Sequence, residues 1–223
     1  MDRKSTSVKD KIANRIRQLL PGSILFAQDF ADEGTNESIR QQLVQLARQG
    51  TLIRLSQGIY LLPKRIGNEH FIPSAEEIVN AIARRDKSRI IPSGEVALWK
   101  LGLSTQVPLN HVYLTDGPSR SIKIEEKGKR TSYTINLKHA SPKNFALRGK
   151  ISASLVQALK TIGEKNLSPE IVDKIQALVM RENLDDLKHD LTVAPAWIAK
   201  LIRESFNRYK YEGLDTPQRT RQD

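Results

Sequence analysis

Four histidines, His70, His111, His139 and His189, are spread over 223 residues that contain no cysteine. No two of them stand in the H-E-x-x-H spacing that puts a pair of imidazoles on one helical face for zinc, and no thiol is present to act as nucleophile or ligand. Gly128-Lys129 lacks the glycine five positions upstream that a phosphate-cradling loop requires, since Lys123 stands there. One acidic pattern has catalytic form: Asp116, then Glu125-Glu126-Lys127, an acid followed by E-x-K. Such a set can hold Mg²⁺ and position a water for phosphodiester cleavage, and it makes a metal-dependent nuclease one alternative reading. It falls in a charged turn, Glu125 to Arg130, where solvated carboxylates are ordinary occupants. No catalytic residue, metal ligand or cofactor is assigned, and the chain reads as a non-enzyme.

A different chemistry is written between Ser23 and Pro63. From Asn36 to Gln49 the apolar residues Ile39, Leu43, Leu46 and Ala47 recur at helical spacing. Glu37, Ser38, Gln41, Gln45 and Arg48 fall on the opposite side, with Arg40 and Gln42 on the flanks. Amides and guanidinium groups are the side chains that pair with base edges in a major groove. Asn36, Ser38, Gln41 and Gln45 are therefore expected to face bases, while Arg40, Arg48 and Arg54 anchor phosphates. Gly50 ends the helix, because glycine enters the left-handed cap without steric cost.

The elements around this helix complete a pattern. Val8 to Leu20 reads as a helix with Ile12, Ile16, Leu19 and Leu20 as its stripe and Lys9, Lys11, Arg15 and Arg17 outside. Ser23 to Phe26 reads as a short strand, and Asp29 to Asp32 as a short helix before a turn at Glu33-Gly34. Thr51 to Leu55 and Ile59 to Leu62 form a hairpin around Ser56-Gln57-Gly58, with Tyr60 packing inward and Ser56 and Gln57 at a tip able to reach phosphate or a minor groove. Helix, strand, helix, helix and hairpin make a winged helix-turn-helix. The fold class is expected to be α+β: this winged domain over residues 1–65, a mixed α/β region, and a helical C-terminal region.

After a linker from Lys64 to Pro73, a second domain is expected over 74–212, with strands at about 111–137 and helices at about 151–209. Ser74 and Glu77 form a capping box, and Arg84-Arg85 closes that helix with charges that suit its dipole. Ser93 caps a further helix running from Gly94 to Leu101. Two helices of the last third carry Ile151, Leu155, Leu159 and Ile162, then Ile171, Ile175, Leu178 and Val179. Pro195 opens the last helix, and residues 213–223 read as a flexible polar tail.

The net charge is +11, distributed as +5 over residues 1–65, +5 over 66–148 and +1 over 149–223. Cations concentrated around the winged segment imply a polyanionic partner, since neutralising phosphates releases condensed counterions. No apolar run approaches the length of a membrane span, and the charged start, Met1-Asp2-Arg3-Lys4-Ser5, has no apolar segment behind it. A cytoplasmic protein is expected.

The segment LARQGTLIRLSQGIYLLP, followed by IIPSGEVALWKLGLSTQVP and HVYLTDGPSRSI, resembles the AbiEi-type antitoxins of bacterial type IV toxin-antitoxin and abortive-infection systems. The likeness covers residues 8–148 and extends less distinctly beyond Lys150. It implies a winged helix that binds inverted repeats in its own promoter and represses its operon. It also implies a functional partner, a nucleotidyltransferase-like toxin, opposed without necessarily being bound directly. The matching positions are the recognition helix, Asn36 to Gln49, and the wing, Arg54 to Gly58. A winged-helix regulator without a toxin partner is the alternative among binding proteins.

Overall fold

The computed structural model describes residues 7–66, 69–125 and 132–212. Its architecture mixes α and β, as an α+β class requires, and its contacts divide it into two units. One comprises residues up to Ser88 together with Ser121–Ile135; the other comprises Arg89–Arg120 and the chain from Asn136 onward.

In the first unit the elements follow the expected order. Helix α1 (Val8–Arg17) leads to strand β1 (Ile24–Leu25), a 3-10 segment (Ala27–Glu33), helix α2 (Asn36–Arg48) and the hairpin of β2 (Ile53–Ser56) and β3 (Ile59–Leu61). The three strands form an antiparallel sheet in the order β1-β3-β2, Leu25 and Arg54 flanking Tyr60. Register shifts between Arg54 and Ser56, a distortion of the kind that re-aims side chains near a strand end. The core joins Ile12 and Ile16 of α1, Phe30 of the 3-10 segment, Ile39, Leu43, Leu46 and Ala47 of α2, and Leu25, Leu52 and Tyr60.

Leu20 does not extend the stripe of α1. The helix stops at Arg17 and a turn leaves Leu20 80% exposed, while Leu19 packs against the core. Gly34 sets the approach of α1 to α2: a Cβ there would meet both methyl groups of Val8 at 2.9 and 3.0 Å.

The stretch expected to be linker contains a two-residue antiparallel pair, β4 (Arg65–Ile66) and β5 (Glu69–His70), and then α3 (Ala75–Asp86). The Ser74–Glu77 box opens α3, the Ser74 N–H donating to Glu77 at 2.7 Å and the Glu77 N–H to the Ser74 hydroxyl at 3.2 Å. The contact division does not fall at residues 65–74, because α3 belongs to the first unit. Its Arg85 stacks on Phe26 at 4.5 Å, and Pro73 just ahead of it accepts a hydrogen bond from Tyr133 at 3.5 Å.

The second unit holds β6 (Ile90–Pro92), α4 (Glu95–Lys100) and β7 (Asn110–Thr115). Ser93 is not the cap of α4. Gly94 occupies that position, at φ 57°, without a side-chain hydrogen bond. Strands β8 (Arg120–Glu125) and β9 (Ser132–His139) complete a sheet of order β6-β7-β9-β8. Of the charged turn expected between them, residues 126–130 lie outside the described residues, as does the tail at 213–223.

Helices α5 (Lys150–Ile162), α6 (Pro169–Val179), α7 (Leu184–Val193) and α8 (Ala196–Glu212) follow, burying Leu155, Leu159, Ile175, Val179, Leu187, Ile198 and Ile202 in one cluster. The free N–H groups at the start of α5 are met by carboxylates from elsewhere in the chain. Glu182 accepts from the N–H groups of Ile151 and Ser152 at 2.7 and 2.8 Å, and Asp190 from those of Arg148 and Gly149 at 2.8 and 2.9 Å. Asp190 also accepts from the Ser152 hydroxyl, and His189 Nδ1 lies 3.0 Å from it. Burial alone would raise the Asp190 pKa; the hydrogen bonds from His189, Ser152, Arg148 and Gly149 outweigh it and hold the carboxyl below the usual 3.8.

Asp190 is 2% exposed, and Asp190→Ala strands these donors, so the variant should lose about 3 kcal/mol. A carboxyl whose folded pKa is depressed contributes stability above its unfolded pKa and loses it as pH falls through the folded value. Urea melts should therefore show the gap between wild type and variant at full size at neutral pH and shrinking below 3.8. A gap independent of pH would contradict the assignment.

Candidate nucleic-acid interface

Two caps fix the position and rotation of α2. At its start the Thr35 hydroxyl accepts from the Ser38 N–H at 3.3 Å. At its end Gly50 sits at φ 78°, with the Thr51 N–H bonded to the Leu46 carbonyl at 3.0 Å and the Gly50 N–H to the Ala47 carbonyl at 3.3 Å. That pair of bonds is a Schellman closure, which satisfies carbonyls the helix would otherwise leave open. With Ile39, Leu43, Leu46 and Ala47 buried, Asn36, Glu37, Arg40, Gln41, Gln45 and Arg48 are all exposed.

Two side chains behave differently from their positions on a helical wheel. Gln42, assigned to a flank, is buried at 9% exposure, and its amide nitrogen has no hydrogen-bond partner. Ser38, expected to face bases, is half-buried and engaged in the cap: its hydroxyl donates to the Thr35 carbonyl at 2.8 Å and accepts from the Thr35 hydroxyl at 3.0 Å. The cap, with Gly34 and Val8 close by, turns it away from the outward set.

The cations divide into engaged and free. In α1, Arg15 pairs with Glu33 at 3.4 Å and stacks on Phe30 at 5.7 Å, and Arg17 bonds to Asn14 at 2.7 Å. On α2, Arg40 and Arg48 have no ion-pair partner among the described residues. Gln41 donates to Glu37 at 2.8 Å, so its amide must exchange that bond to read a base, whereas Gln45 carries no such commitment. A shallow groove along α2 is lined by Glu37, Arg40, Gln41, Val44, Gln45 and Arg48.

Beside it lies a hollow of about 380 Å³ that the sequence pattern did not indicate. Arg40 and Val44 of α2 form one wall, Arg54, Tyr60 and the Gln57-Gly58 turn another, and Ala27, Gln28 and Arg85 the rest. Of the wing residues, Gln57 and Arg54 are exposed and Ser56 is half-buried. Arg54 makes one long contact, Nε to the Ser56 carbonyl at 3.4 Å. Tyr60 packs inward, and burial raises its phenol pKa against the lowering effect of Arg54, so it stays a neutral donor at physiological pH.

Among the nuclease candidates, both Asp116 oxygens are used by Arg89, from its N–H at 2.8 Å and its Nε at 3.3 Å. Lys127 and the side chain of Glu125 lie outside the described residues. Among the described residues no group of three or more metal-ligating side chains comes together, and no helix is long and apolar enough to cross a membrane.

A family model described as a family of unknown function, DUF6088, matches residues 11–187. No curated protein matches. Three chains among solved structures match, including the crystal structure of RV2827C protein from Mycobacterium tuberculosis, with 15% identity, a TM-score of 0.44, and coverage of 87% of this chain and 75% of that one.

Glu37 is the one acid on this face of α2. Glu37→Gln should tighten binding to arbitrary duplex DNA about threefold at low salt, the size expected for one exposed charge. Fluorescence anisotropy on a labelled random duplex checks this, and weaker binding by the variant would contradict the outward placement.

Proposed function

This chain belongs to the DUF6088 family, whose function is unknown, and we propose from its own residues that it is a DNA-binding antitoxin that represses its own operon. The first unit acts as a winged helix-turn-helix, α2 being the recognition helix and the β2–β3 turn the wing. One observation carries the reading: a doubly capped helix buries its apolar stripe and turns two unpaired arginines, Arg40 and Arg48, outward beside the amides of Gln41 and Gln45. Unpaired guanidinium groups gain the full benefit of a phosphate contact, having no internal partner to give up. The amide of Gln45, and that of Gln41 once it exchanges its bond to Glu37, supply the donor and acceptor pair that reads adenine.

In this reading Asn36, Gln41 and Gln45 meet base edges, with Arg40, Arg48 and Arg54 on the backbone and Gln57 at the tip of the wing. Ser38 holds the helix start, and Ser56 shapes the turn. Inverted repeats would place two copies on the duplex, one per half-site. The antitoxin role, opposing a nucleotidyltransferase-like toxin in the cytoplasm, rests on the likeness of residues 8–148 to the AbiEi-type proteins. It is separable from DNA binding, which stands equally for a regulator without a toxin.

Footprinting of the full chain on its own upstream region should show protection of an inverted repeat. Gln45→Ala should cut the ratio of operator to random affinity by about 5- to 150-fold, the equivalent of 1–3 kcal/mol. Arg48→Ala should weaken both duplexes equally and make the salt dependence shallower by about one phosphate. Absence of protection at low salt, with the protein folded, would remove the reading. Co-expression with the neighbouring gene product tests the toxin half: growth rescue supports it, and unrelieved toxicity removes it.

A further inference from the structure

The hollow beside α2 has the composition of an anion site. Three guanidinium groups line it from three separate elements, Arg40 from α2, Arg54 from β2 and Arg85 from α3, and no carboxylate does. Arg85 is paired with Asp86, but Arg40 and Arg54 have no carboxylate partner among the described residues, and like charges collected in one concavity carry a cost that an anionic ligand offsets. Tyr60, whose phenol stays neutral, is the aromatic residue of the lining.

Arg85 shows that the site is built. Its side chain is only 15% exposed, and its Nε and Nη2 are fixed on Asp86 at 2.6 and 3.2 Å. Its guanidinium also stacks on the Phe26 ring at 4.5 Å. Two of the five N–H donors of the fork are thus used on Asp86, and the other three remain available on a group whose orientation is set in advance. A fork held this way loses little freedom on binding, which is how preorganisation raises affinity. At about 380 Å³ the hollow is within the range of ligand pockets and larger than a bare phosphate needs.

We infer that Arg40, Arg54 and Arg85 together hold a single phosphate group, supplied by the duplex backbone when α2 lies in the groove, and that Arg85 is a DNA-binding residue although it stands outside the helix and wing. The duplex part rests on the proposed function; the phosphate chemistry does not. Counterion release counts phosphates and not arginines, so residues sharing one phosphate change the salt slope once between them.

The test uses the full chain and the variants R54A, R85A, R85K and R54A/R85A, in two arms. In the first, anisotropy on operator and random duplex is followed against KCl. R85A should lose about tenfold on both duplexes and the double variant more, while in neither does the slope fall by more than about one, because a single phosphate is at stake. R85K should keep the slope and lose a few fold, because it has the charge without the fork. In the second arm, inorganic pyrophosphate is titrated while the arginine Nε–H resonances are observed by NMR. Wild type should shift and R85A should not.

Should R85A melt early, R54A and R85K carry both arms, since Arg54 is exposed and has no ion pair among the described residues. Unchanged duplex affinity and slope in every variant overturns the inference, and so does a double variant whose slope falls by about two. If wild type binds pyrophosphate through Arg85 but no duplex, the hollow is a free-phosphate site and the DNA reading fails alone. If wild type binds neither, the hollow fails as well.

Discussion

Burial of one stripe of α2 is the constraint from which the make-up of its exposed face follows. Ile39, Leu43, Leu46 and Ala47 enter a cluster with Ile12, Phe30 and Leu52, and four fully or nearly fully buried side chains on one helix are worth several kcal/mol. Rotating the helix by a quarter turn would expose them, so the outward set is determined by the inward one. The two caps reinforce this by fixing where the helix starts and stops. Thr35 begins it against the chain that packs on Val8, and the Schellman closure at Gly50 delivers the chain directly into β2. The β2–β3 turn is brought beside α2 by the same closure.

Charge follows from that geometry. The basic helix α1 has its arginines spoken for, Arg15 by Glu33 and Phe30, Arg17 by Asn14. The arginines of α2 are not, and Arg85 is held by Asp86 and Phe26 with its fork still partly open. Arg40 and Arg48, without an ion-pair partner among the described residues, thus leave part of the positive charge of the first unit uncompensated beside the pair of Arg85 and Asp86. The second unit handles its helix ends in the opposite way. The start of α5, the kind of helix end that attracts anions, is already filled by Glu182 and Asp190.

What could be read from the sequence was local. The Ser74–Glu77 box, the glycine stop at Gly50 and the stripes of α2, α5 and α6 each depend on residues within a turn or two of one another, and each stands where expected. What could not be read depended on partners distant in the chain. The two-residue strands β4, β5 and β6 carry no periodicity of their own. Helix α7 was not anticipated because its inward face includes a buried carboxylate, Asp190, and its first apolar residue, Leu184, is exposed, although Asn183 capping Asp185 and Asp186 was a usable signal. Arg85 looked like a favourable charge at a helix end. Only the fold brings it to the same hollow as Arg40 and Arg54.

Amide chemical-shift mapping of the full chain with a duplex from its upstream region tests whether the outward face of α2 and the adjoining turn are where duplex DNA is met. The largest shifts should fall on residues 36–48 and 54–58, with a second group at Arg85. Shifts confined to the helices after Lys150, with α2 unmoved, would mean that DNA is not met at α2.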